Sequence, residues 1–165
     1  MEISFKSITL FSTVLLTGLS AGFFYAWAVS VIPGTRQVSG QVYLETMQSI
    51  NRAILNPAFY LIFFGSLLML AVSAILQYRS GAGAAFWLFF AAGLTYLIGA
   101  FGITAFGNVP LNDALEVIPL DGLSPDQLAK TRRQYETRWN RLHMIRTVFA
   151  VVSFLLSLTA VFRIN

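Results

Sequence analysis

The chain has no cysteine and a single histidine among its 165 residues. That excludes disulfide frameworks, thiolate nucleophiles, zinc ribbons and iron–sulfur clusters. A transition-metal site needs several His, Cys or carboxylate ligands, and bis-histidine haem needs two histidines, so no metal site is expected. Charge is equally scarce. Only 11% of the residues are charged, against about 25% in a soluble domain, too few to cover a water-facing surface. Hydrophobic residues make up 56% of the chain and the mean hydropathy is +0.69. The net charge of +4 on so apolar a chain points to arginines and lysines at lipid headgroups, with a lipid bilayer and no nucleic acid as partner.

Where the charges are missing is more informative still. Uncharged intervals of 29, 26, 33 and 16 residues follow Lys6, Arg52, Arg79 and Arg146. Crossing about 30 Å of hydrocarbon takes roughly 20 helical residues. The first three intervals suffice, and the fourth must borrow residues before Arg146. The pattern predicts an all-α, four-transmembrane-helix bundle in a single membrane domain, with spans at about 8–32, 57–78, 84–106 and 142–163 and extramembrane segments at 33–56 and 107–141. Runs such as Leu61-Ile62-Phe63-Phe64 do not alternate in polarity as barrel strands would. The apolar run from Ile8 to Ile32 exceeds the 7–15 residues of a signal-peptide core, so it is read as helix 1. An integral, multi-pass protein of a cell membrane, or of the inner membrane in a bacterium, is expected.

Local signals organise the rest. Pro33-Gly34 is expected to stop helix 1. Tyr43, Leu44, Met47, Ile50 and Ile54 recur at helical spacing among polar residues, predicting an amphipathic helix along the membrane surface after helix 1. Asn56-Pro57 supplies an N-cap and a first-turn proline for helix 2. Ser124-Pro125-Asp126-Gln127 is a capping box, and no glycine or proline follows it. One continuous helix over about 125–163 is therefore predicted, with a long extramembrane extension of helix 4. Gly18, Gly22, Gly93, Gly99 and Gly102 are read as close-packing positions, within the chain or against a second copy, so a homo-oligomer stays open. Seven basic residues flank the long loops against three on the other side, which nominally places those loops in the cytoplasm, a count that stops being informative if several of those arginines serve a site.

Polar residues near a bilayer are expensive, and they concentrate on the long-loop side. Thr104 to Asn112, with Asn108 and Asn112, ends the third predicted span. Arg138 to Arg146 opens the fourth. Positions i, i+4 and i+7 share a helix face, so Trp139, His143 and Arg146 form one stripe, flanked by Asn140. Gln48, Asn51 and Arg52 of the amphipathic helix could face the same region. Each has a structural reading too: Trp139 as an interfacial anchor, Arg146 snorkelling to phosphate, His143 as a packed core residue, the asparagines capping carbonyls at the end of helix 3. All acidic residues lie outside the spans, which removes the intramembrane carboxylate of proton-coupled small multidrug exporters. No glycine-rich phosphate loop, nucleophile elbow or carboxylate dyad is present. A pocket of amides, indole, imidazole and guanidinium remains, suited to a flat, hydrophobic substrate that becomes an anion.

Together, Ile32-Pro33-Gly34, Met47-Gln48-Ser49-Ile50-Asn51, Asn56-Pro57, Asn108-Val109-Pro110-Leu111-Asn112 and Trp139-Asn140 through His143 to Arg146-Thr147 make the chain resemble the anthrone-oxygenase-like family of four-helix membrane proteins. The resemblance implies oxidation of a small aromatic substrate, an anthrone in the fungal members, by molecular oxygen without metal or organic cofactor. It also implies roles: His143 as base, Arg146 and Asn108 steadying an oxyanion, and Trp139, Asn112, Asn140, Gln48 and Asn51 in substrate binding. The alternative is a non-enzymatic membrane assembly or a lipid- or small-molecule-binding component, in which the polar cluster ties helices 3 and 4 together.

Overall fold

In the computed structural model the described residues are 4–164. They form five helices, with no strand among them: α1 (Phe5–Thr35), α2 (Gly40–Ala53), α3 (Pro57–Arg79), α4 (Gly83–Glu116) and α5 (Pro125–Val161). All but α2 are long and apolar enough to cross a membrane.

The helix starts follow from side chains that satisfy free backbone N–H groups. Ser4, Ser39 and Asn56 accept from the N–H three residues on, at Ser7, Val42 and Phe59. Ser124 and Gln127 close the capping box that starts α5. The α3–α4 turn carries Gly81 at φ +72°, a left-handed conformation that suits glycine.

Two helices run further than their prolines predict. Pro33-Gly34 does not stop α1, which continues to Thr35, and the third span does not end near 106, since α4 continues to Glu116. Each proline lies two residues beyond a π-helical stretch, Trp27–Val31 before Pro33 and Thr104–Asn108 before Pro110. The wider turn has already re-registered the hydrogen bonds there, so a residue lacking N–H is absorbed without a break. Asn108-Val109-Pro110-Leu111-Asn112 therefore lies inside α4, not at a helix end.

Around the bundle α1 packs on α3 and α5, α3 on α4, and α4 on α5. Phe24, Phe63, Leu70, Phe89 and Tyr96 fill its apolar core. Hydroxyls bridge helices across it: Thr13 to Ser73 (2.8 Å), Thr17 to Ser157 (3.2 Å) and Ser20 to Tyr96 (2.8 Å). Such bonds join helices whose apolar surfaces gain little from meeting each other in lipid. Phe11, Leu61, Trp87 and Ile98 point outward. The amphipathic helix α2 turns Tyr43, Leu44 and Met47 into a second core with Leu115, Leu128, Tyr135 and Trp139. Arg132 of α5 ties down the α1–α2 linker by donating to the carbonyls of Thr35 and Val38.

The predicted close-packing glycines differ among themselves. A Cβ on Gly99 would lie 1.9 Å from Phe149 Cγ, and one on Gly18 would lie 3.1 Å from the Phe154 ring. Gly22 has open space, so it is not a packing position, and Gly93 would make only an ordinary contact at 3.9 Å. Gly99→Ala is expected to destabilise the bundle by about 1–3 kcal/mol, as overpacking does, whereas Gly22→Ala leaves it unchanged. Thermal unfolding of the two variants in detergent checks this, and equal melting temperatures would contradict the close approach of α4 to α5.

Candidate functional site

The stripe expected on α5 is present and longer than its spacing suggested, running Tyr135, Trp139, His143, Arg146. Trp139 and His143 lie face to face, with ring centroids 5.0 Å apart and planes 6° from parallel. Both are buried, His143 at 0% and Trp139 at 4% exposure.

His143 has no free nitrogen. Its Nε2 is 3.0 Å from the carbonyl oxygen of Phe24 on α1, and its Nδ1 accepts from Arg146 Nε at 3.2 Å and Nη2 at 2.9 Å. A carbonyl can only accept and a guanidinium can only donate, so these partners select the neutral tautomer with the proton on Nε2. The ring does not border the cavity that opens beside Trp139. In this arrangement the Nδ1 lone pair is directed at the guanidinium and not into the cavity.

Arg146 is 7% exposed. Its Nη1 donates to Thr104 Oγ1 on α4 at 3.1 Å. Its central carbon sits 4.7 Å from the centre of the Phe24 ring and 5.1 Å from that of Trp139. The salt bridges among the described residues are Arg52–Glu116 and Arg132–Glu136, so this guanidinium forms none. Aromatic faces and hydrogen-bond acceptors stabilise it instead. It is not snorkelling outward.

The two asparagines converge on the same stripe and cap nothing, which corrects the capping alternative. Asn112 Oδ1 accepts from Trp139 Nε1 (2.8 Å) and from the Tyr135 hydroxyl (3.0 Å), fixing the indole. Asn108 Nδ2 donates to the carbonyl of Trp139 at 3.2 Å. That bond identifies which amide atom is the nitrogen. It leaves Asn108 Oδ1 buried without a protein partner.

Beside these groups opens a cavity of about 220 Å³, larger than the roughly 150 Å³ that holds a benzene. Arg146, Thr104, Asn108, Asn112 and Trp139 line it with Phe23, Phe24, Trp27 and Phe59. Asn51, Arg52, Asp113 and Glu116 also lie in its wall, with the aliphatic Ile50, Ile54, Leu55 and Val109. The π-helical stretches carry Trp27, Thr104 and Asn108, and such stretches often mark functional sites.

Two expected members fall elsewhere. Gln48 uses its amide to cap the carbonyls of Leu115 and Ile118, and it is not a wall residue. Asn140, half-buried, is also absent from the wall. It is one residue past Trp139, about 100° around the helix, and so points away from the stripe. Asn51 does reach the site, lining the cavity and donating to the Tyr135 hydroxyl at 3.3 Å.

Sequence reasoning missed Tyr135, Phe24, Trp27, Thr104 and the wall carboxylates. Tyr135 precedes Trp139 by four residues and was legible as the same stripe. The spacing gives no comparable signal for Phe24 and Trp27, which come from a helix more than 100 residues away.

Burial pushes the Tyr135 hydroxyl above its ordinary range, opposed by the Asn51 amide and the Arg146 charge. Burial also raises Tyr43, helped by Glu136 and by Tyr135 and opposed by Arg132. Both phenols ionise more readily in the unfolded chain. The folded state therefore holds more protons above about pH 10, and stability falls as pH rises through that range. Tyr135→Phe is expected to shallow this alkaline loss while costing about 1 kcal/mol at neutral pH from the lost Asn112 bond. Unfolding midpoints between neutral and strongly alkaline pH check it, and an unchanged alkaline slope would contradict the burial argument.

A family model described as anthrone oxygenase matches residues 58–156, more than half of the chain. The matched stretch holds Thr104, Asn108, Asn112, Trp139, His143 and Arg146 and leaves out α1 and α2, which contribute Phe24, Trp27 and Asn51. Comparison with curated proteins and with solved structures gave no match.

Proposed function

The chain belongs to the anthrone oxygenase family, and on that premise we propose that it is a multi-pass membrane enzyme that oxidises a small, flat aromatic compound with molecular oxygen, using only its own side chains. The observation that carries the proposal is the Arg146 guanidinium, held without a salt bridge, in the wall of a cavity that also carries five aromatic side chains.

The chemistry starts with a carbon acid. An anthrone-like ketone loses a proton from its ring methylene, and the charge moves to oxygen as an aromatic enolate. A fixed cation in a poorly hydrated pocket stabilises that oxyanion in the transition state without having to reorganise. Arg146 takes this role, held in place by His143 and Thr104. Asn108 Oδ1, lacking a partner, accepts from a phenolic hydroxyl of the substrate, and Trp139 and Phe24 supply apolar faces. Asp113 lines the same cavity and belongs to neither ion pair. It replaces His143 as the group assigned to carry the proton away.

The enolate then passes one electron to oxygen, and the resulting radical pair recombines. A carbon–oxygen bond forms, and protonation gives a hydroperoxide. Loss of the second methylene proton with cleavage of the O–O bond releases water and leaves a ketone. In sum, CH2 and O2 become C=O and H2O. The protein's part is to make the enolate and hold it.

The alternative, a polar knot that merely ties helices together, calls for polar atoms paired with one another and no void. The cavity and the unpartnered Asn108 oxygen argue against it.

Purified protein in detergent, given an anthrone and assayed by oxygen uptake and quinone absorbance, tests the proposal. Arg146→Gln is expected to lower kcat by about 100- to 1000-fold, in the range seen on losing an oxyanion donor. Arg146→Lys should recover only part, because a point charge lacks the planar fork. Undiminished turnover by Arg146→Gln would sink the proposal. His143→Gln is expected to lower kcat while leaving the shape of the pH–rate profile unchanged, since the imidazole positions and does not accept the proton. Loss of the acid limb in that variant would restore His143 as the base.

A further inference from the structure

On the side of α4 away from Asn108 and Asn112, a second concavity of about 500 Å³ opens between α4 and α5. It shares no wall residue with the aromatic cavity. Phe106 and Pro110 form its α4 side; Arg138, Arg141, Leu142 and Ile145 form its α5 side. Gly107 lets the helices approach closely at its floor, where a Cβ would lie 3.0 Å from Leu142 Cδ1.

Arg138, Leu142 and Ile145 stand at i, i+4 and i+7, so one stripe of α5 changes from guanidinium to hydrocarbon within two turns. Arg138 and Arg141 are exposed, and neither belongs to a salt bridge among the described residues. Beyond them Ile145, Val148, Val152 and Leu155 continue as an exposed apolar face. From Ile145 to Leu155 the helix rises roughly 15 Å, about half the hydrocarbon thickness of a bilayer. Phe106, 86% exposed, flanks the same groove. The two free cations therefore sit at the height of lipid headgroups, above a channel one acyl chain can follow.

From this polarity, cationic at the top and apolar below, we infer that the α4–α5 groove is a binding site for one anionic phospholipid, its headgroup phosphate on Arg138 and Arg141 and an acyl chain along Phe106, Leu142 and Ile145. Charge complementarity selects an anionic over a zwitterionic lipid: two fixed guanidinium groups favour a net negative headgroup and gain less from one that carries its own ammonium. The site is independent of the oxygenase reading, since no residue that lines it touches the aromatic cavity.

The test uses the full chain, delipidated in detergent and offered phosphatidylglycerol and phosphatidylcholine with matched chains, with retained lipid counted by native mass spectrometry. One phosphatidylglycerol per chain is expected, preferred roughly ten-fold over phosphatidylcholine. The R138Q/R141Q double variant should abolish that preference. The exposed pair K130Q/R133Q, on the same helix but outside the groove, should leave it intact. Phe106→Ser, which removes an apolar wall without touching charge, should lower retention of both lipids. All these positions except the groove's floor are exposed, so the variants are expected to melt with the wild type. The inference is overturned if the wild type shows no preference, if the preference survives R138Q/R141Q, if K130Q/R133Q abolishes it equally, or if soluble glycerol phosphate displaces the lipid at equal concentration. The last result would make it a site for free phosphate.

Discussion

A charged guanidinium inside an apolar helical bundle is costly unless its surroundings replace water, and much of the polar half of this protein is arranged around that requirement at Arg146. Three helices contribute. Thr104 of α4 accepts from one end of the guanidinium, His143 of α5 from the other, and Phe24 of α1 offers its ring to the guanidinium and its carbonyl to the imidazole. None of these partners carries a negative charge. The guanidinium is thus held by neutral groups, and the carboxylates nearest the site, Asp113 and Glu116, stand elsewhere in the cavity wall without forming a salt bridge to it.

The same constraint accounts for the irregular stretches of α1 and α4. A regular helix turns each residue by 100°; a π-helical stretch delays the turn and re-aims the side chains beyond it. Trp27, Thr104 and Asn108 all lie in such stretches, and all border the cavity. The prolines two residues further on, Pro33 and Pro110, exploit the already shifted hydrogen bonds. Outside this region, stability rests on hydroxyl pairs and on close helix approach at positions such as Gly99, which suits a chain whose exterior is apolar and whose interior cannot rely on excluding water.

The two ends of α5 illustrate how one helix serves different surroundings. Its first half is held by a capping box and by Arg132, which bonds the linker carbonyls of Thr35 and Val38. Its second half presents alanine and serine inward and valine and leucine outward. Between them lies the polar stripe of Tyr135, Trp139, His143 and Arg146. Helix α2 completes the structure from outside, burying Tyr43, Leu44 and Met47 against that first half and bringing Asn51 to the cavity wall.

Charge-free intervals, caps and helical spacing determined by themselves that four long apolar helices exist, that α5 begins at Pro125, and that Trp139, His143 and Arg146 share a face, because each of these is a local property of consecutive residues. The site residues Asn108, Asn112 and Asn51 were legible as polar groups in costly places. Whether Pro33 and Pro110 end a helix depended on π-helical turns that no spacing rule encodes. Only the tertiary structure decided that Phe24 reaches His143 from another helix, that the imidazole has no nitrogen to spare, that Gln48 and Asn140 stay out of the cavity, and that Asp113 enters its wall. Those outcomes are set by the rotation and approach of whole helices against one another, and the packing that fixes rotation is shared among residues more than 100 positions apart.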